Sequence, residues 1–172
     1  MTVLGVNAGL RDRSALEQMV LDVVPDPVLF CTHPGRGHQA ASVELGTQDV
    51  ESVVAAFVAR GAAVALDDRI AGPDEHRPGA VAARAAHRRA GRAVRFPGQH
   101  LLCGTLTVED AVATGAVDRV EPLGGPVPPG TPLVTHDFVR PVYRAGTLVL
   151  EVTPAAAGVI PFELEHQDLC GH

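Results

Sequence analysis

Short apolar runs alternate with segments whose apolar residues recur at helical spacing through the first half of the chain. That alternation leaves few folds open beyond strands connected through helices. Val3 to Val6 reads as a first strand. From Ser14 to Val24, Leu16, Met19, Val20 and Val23 share one helical face, with Ser14 as the cap and Glu17 completing a capping box before Pro25 ends the helix. Pro27 to Cys31 is short and wholly apolar, the texture of a buried strand, and opens into a Gly-rich loop. Thr47 caps the clearest helix, in which Val50, Val53, Val54, Phe57 and Val58 line one side before Gly61 stops it. Ala62 to Leu66 follows as a strand, Asp67 to Pro78 as a polar loop, Gly79 to Ala90 as an Ala-rich helix and Ala93 to Phe96 as a returning strand.

The texture changes after Pro97. Val108 to Thr114 reads as one short helix, and a Gly and Pro tract runs from Leu123 to Pro132. Phe138 to Tyr143 and Thr147 to Thr153 flank Arg144-Ala-Gly146, the spacing of a β-hairpin, and Val159 to Leu164 adds a last strand. The expectation is an α/β or α+β chain forming a single domain over residues 1–172, its alternating half followed by a β-rich part, with 121–132 as a candidate subdomain boundary.

Composition narrows the chemistry. With no Trp and one Tyr the core must be aliphatic, and all 14 basic side chains are arginine. Lysine Schiff bases and phosphate loops of the Gly-Lys-Ser type are therefore excluded. A formal net charge of −6 argues against general nucleic-acid binding. Pro, Gly, Asp or Arg interrupts every apolar run well short of a membrane span. The first residues carry no export signal, and the odd number of cysteines, Cys31, Cys103 and Cys170, suits reduced thiols, so the expected setting is cytoplasmic.

Thiols and imidazoles cluster along the chain. Cys31-Thr-His33 and Cys170-Gly-His172 repeat one spacing, His100 precedes Cys103, and His166 lies four before Cys170. Zinc takes thiolate and imidazole ligands tetrahedrally, so two such pairs brought together by folding would complete a site. His166, Cys170 and His172 form the first expected ligand group, because their setting is too polar for a core, and Cys31 with His33 would complete it. Glu163, Glu165 and Asp168 supply oxygen donors nearby.

Cys31, His33 and Arg36 form the candidate catalytic set, since a cysteine leaving a strand into a loop of backbone amides beside an arginine suits a stabilised thiolate. This loop resembles that of rhodanese-type sulfurtransferases over Cys31 to His38, departing from it in the spacing set by Pro34 and Gly35 and in having no Ser or Thr after Arg36. Leu101 to Val120 resembles the segment that follows the active site of enoyl-CoA hydratase-type proteins, without the glycine-rich oxyanion segments upstream.

Arg84, His87, Arg88, Arg89, Arg92 and Arg95 form a basic stretch, with Arg84 and Arg88 on one helical face, suited to an anion, a second subunit or plain solvation. His136-Asp137 lacks the geometry to orient itself, because neighbours on an extended chain point apart. The leading expectation is a cytoplasmic zinc-binding protein. The alternatives are a non-catalytic domain for self-association or partner binding, with a homo-oligomer as one outcome, and a Cys31-dependent thiol enzyme.

Overall fold

A computed structural model describes residues 1–165. The chain packs as two compact units, Met1–Phe96 and Pro97 onward. The fold is mixed α+β, with alternating elements in the first unit and mainly strands in the second.

In the first unit β1 (Thr2–Asn7), α1 (Arg13–Val23), β2 (Leu29–Pro34), β3 (Gln39–Leu45), α2 (Val50–Ala59) and β4 (Ala63–Leu66) follow one another. Their strands lie in the order β4-β1-β3-β2, every neighbouring pair antiparallel, which is the split βαβ or ferredoxin-like arrangement. Three elements extend it. β5 (Arg69–Ala71) pairs with β4, α3 (Arg77–Ala86) lies across β1, β3 and β4, and β6 (Ala90–Arg95) pairs with β2.

Both early helices start later or earlier than their sequence cues suggest, because aspartates outcompete the hydroxyls. Asp12 rather than Ser14 caps α1, accepting from the Ser14 amide at 2.8 Å, and Asp49 rather than Thr47 caps α2, accepting from the Ser52 amide at 3.0 Å. Glu17 closes no capping box; it pairs with Arg92 at 2.6 Å. The expected apolar faces hold: Leu16, Val20, Val53 and Phe57 are buried, with Met19, Val50, Val54 and Val58 packed partly buried beside them.

Those helices cover one face of the sheet, contributed by Leu4, Val6, Phe30, Ala41, Val43 and Val64. The other face receives α3 through small residues, Ala63, Ala65 and Ala80. Gly5 is needed there because a Cβ on it would run into the Ala80 carbonyl. The helix ends at Ala86, short of the expected Ala90, because His87 turns extended and Arg88 takes a positive φ of 56°.

The second unit holds β7 (Thr105–Thr107), α4 (Val108–Ala113), β8 (Arg119–Pro122), β9 (Pro132–Val134), β10 (Val142–Arg144), β11 (Thr147–Ala155) and β12 (Gly158–Pro161). Strands run in the order β10-β11-β12-β9-β7, and β8 pairs with β11 in parallel. The hairpin expected around Arg144 is present as β10 and β11, with Ala145 and Gly146 at φ of 49° and 87° forming its turn. Among the described residues no helix is long and apolar enough to cross a membrane.

Candidate functional site

Alternation along β2 and β3 sorts their side chains between the two faces of the first unit's sheet. Ala41, Val43 and Leu45 enter the core under α1 and α2, so Ser42 and Glu44 face the α3 side. Cys31 sits directly opposite Ser42 in the β2–β3 ladder. Ser42 and Cys31 are 0% exposed and Glu44 1%.

A polar chain results. His33 Nε2 lies 2.8 Å from Ser42 Oγ, His87 Nδ1 lies 3.0 Å from the same oxygen, and His87 Nε2 lies 3.0 Å from Glu44 Oε2. Arg88 donates to that carboxylate oxygen from Nε at 3.1 Å and Nη2 at 2.9 Å. A carboxylate only accepts, so His87 carries its proton on Nε2, its Nδ1 accepts from the Ser42 hydroxyl, and Ser42 Oγ accepts from His33 Nε2–H. Every bond in the chain thus points toward Glu44, and a polar group buried without such a partner would cost about 1–3 kcal/mol. The left-handed turn that ends α3 makes this possible by delivering His87 and Arg88 together. Gly91, at φ 103°, leaves room for the His33 ring, which a Cβ there would strike.

The electrostatics follow burial. Desolvation pushes the Cys31 thiol up to about 12, outweighing the opposing pull of Arg88 and Ser42, while Glu44 adds to the rise. Desolvation, with the nearby His87, lowers His33 to about 4. His87 is lowered as well, chiefly by desolvation and further by Arg88, against the opposing pull of Glu44. Thiol and imidazoles are therefore neutral at pH 7.

Of the residues singled out in the sequence, Cys31 and His33 from the thiol and imidazole set and His87 and Arg88 from the basic stretch are brought to this cluster. Arg36 is exposed in the β2–β3 turn, and the guanidinium acting on the thiol is that of Arg88. A neutral, sealed thiol is the inert rather than the nucleophilic form. Among the described residues no group of three His, Cys, Asp or Glu side chains is arranged to hold a metal ion. The other expected ligands, His166, Cys170 and His172, lie outside the described residues.

The arginine stretch is largely spent on internal staples. Arg84 pairs with Asp67 at 2.8 Å and donates to the Val3 carbonyl, Arg88 holds Glu44 and Arg92 holds Glu17. Asp137 accepts from the Gly104 amide at 2.8 Å within a turn where it and His136 both have positive φ. The Asp137 carboxylate thus serves the backbone of that turn.

An accessible concavity lies elsewhere on the first unit. Val54 of α2, Val64 and Leu66 of β4 and Ala71 of β5 line a groove of about 390 Å³. Glu51 and Arg69 stand at it, paired at 2.6 Å with side chains 68% and 67% exposed. Sequence periodicity marks Val54 as core-facing; the groove arises because β5 is only three residues long and covers the adjoining edge incompletely.

Comparison of the chain with protein-family models, with curated proteins and with solved structures gives no match.

Proposed function

We propose that this chain is a non-catalytic binding domain whose first unit takes its ligand in the groove between α2 and the β4–β5 edge. The observation that carries the reading is the groove itself, apolar along its walls and bearing one charge of each sign, the usual make-up of a small-ligand pocket. The sealed state of Cys31 and Ser42 supports it, since neither can meet a substrate. Methyl-resolved NMR against a panel of small metabolites and short apolar peptides tests it. At least one panel member should move the Val54, Val64 and Leu66 methyl signals, and Ala71→Leu, which fills the groove, should abolish that movement. Silence across the panel, or shifts that persist in the filled variant, would sink the reading.

A second reading, zinc binding, draws on Cys31 and His33 lying together on one face of β2 beside Ser42, with the remaining ligands to come from His166, Cys170 and His172. A metal there would have to displace the hydroxyl and drive the proton off a thiol now held at about 12. Elemental analysis of tag-free protein after zinc addition and desalting decides it. Near-stoichiometric zinc, lost in Cys31→Ser or on truncation before His166, supports the reading, and metal-free protein removes it.

A further inference from the structure

We infer that the groove between α2 and the β4–β5 edge takes a free branched aliphatic α-amino acid, an assignment that rests on the binding-domain reading above. Two features of the groove select this class together. Its floor, Val64 and Leu66, is closed core, and its accessible walls, Val54, Ile70 and Ala71, offer apolar surface without a buried hydrogen-bonding side chain, so they match a hydrocarbon branch. Its mouth carries opposite charges side by side, Glu51 in the first turn of α2 and Arg69 on the edge strand, joined at 2.6 Å.

A zwitterion presents the same two charges on adjacent groups. Its ammonium replaces Arg69 as the partner of Glu51, and its carboxylate accepts from the Arg69 fork in place of Glu51. The pair it opens is solvent-exposed, and such pairs contribute little to stability, so the exchange conserves charge pairing at small cost. Ligands with a single charge fit worse. A branched fatty acid would set its carboxylate against Glu51, and an alkyl amine would set its ammonium against Arg69. An interior peptide residue carries neither charge. Pairing with a second copy through β5 is disfavoured by the strand's three-residue length and by the arginine on it, both devices that blunt a sheet edge.

Titration calorimetry on the full chain, with methyl NMR in parallel, compares L-leucine with 4-methylpentanoate, which lacks the ammonium, 3-methylbutylamine, which lacks the carboxylate, and glycine, which lacks the branch. Leucine is expected to bind at least about tenfold more tightly than each of the three, the scale of one lost charge-assisted bond or a buried branch. Glu51→Gln and Arg69→Gln, at exposed positions, should each weaken leucine by about tenfold while leaving the circular dichroism spectrum unchanged. If 4-methylpentanoate binds as well as leucine, or if another panel compound moves the groove methyls and leucine does not, the amino-acid assignment is overturned while the binding-domain reading stands. Concentration-dependent methyl shifts without ligand, abolished by Ala71→Leu, would put a second copy in the groove and likewise overturn it. If no compound moves these signals and dilution has no effect, both the assignment and the reading fail.

Discussion

Acid should unlatch the first unit through His33. The ring is buried beside Ser42, and its pKa falls from an ordinary 6.5 to about 4. An unfolded chain therefore takes up this proton more readily than the folded one as the pH drops, so the native state loses stability between those two values and not above them. At about 1.4 kcal/mol per pH unit, the full difference is worth about 3 kcal/mol, of which roughly 2 to 3 kcal/mol is lost by about pH 4.5. The control is His33→Gln, whose amide nitrogen still donates to Ser42 but never titrates. Urea unfolding at about pH 7 and pH 4.5, followed through the Ala41 and Val43 methyl signals so that the readout belongs to the first unit, should show the parent losing roughly 2 kcal/mol more than the variant. His87 and the other ionisable groups are present in both proteins, so the difference between the two losses reads His33. Equal losses, or a His33 ring signal that titrates above pH 6, would refute the reasoning.

Three further outcomes follow from the same packing. Glu44→Ala should cost about 3 kcal/mol in urea unfolding, because it strands His87 Nε2 in the interior; a loss under 1 kcal/mol would mean that water replaces the carboxylate. Gly91→Ala should cost at least about 2 kcal/mol, since φ 103° strains an L residue and its methyl strikes the His33 ring; an unchanged unfolding midpoint would contradict that placement. Iodoacetamide on the native protein near neutral pH should label exposed Cys103 and spare Cys31, with peptide mass spectrometry reading each site; rapid labelling of Cys31 would show that its strand opens readily.

Periodicity made the helices legible. The apolar faces of α1 and α2 stand where the spacing puts them, and only the caps moved, to aspartates within two residues of the expected hydroxyls. The hairpin around Ala145 and Gly146 was similarly visible, because turn chemistry is local. β3 was not: Gln39-Ala-Ala-Ser-Val-Glu-Leu45 alternates as if Ser42 and Glu44 faced water, and nothing within the segment reveals that α3 lies over them. Their partners His87 and Arg88 come from more than forty residues away in sequence, beyond any motif, although a basic run in an acidic chain was the available cue. Cys31 and His33 drew notice through their spacing, which correctly places them on one side of a strand but carries no information about burial. The groove depends on the shortness of β5, which the polar texture after Leu66 conceals.

The one-way chain ending on Glu44 has a consequence for misfolding. Slipping β3 by a single residue would turn Ser42 and the Glu44 carboxylate into the aliphatic layer under Leu16, Val20 and Phe57, and would push Val43 and Leu45 out toward Arg88. Arg92 on that side is already paired with Glu17, so the shifted pairing would bury the Glu44 carboxylate away from its own partners, His87 and Arg88. The polar chain therefore works as a proofreader of strand alignment: its main effect is to make the wrong sheet unaffordable, whatever it adds to the right one.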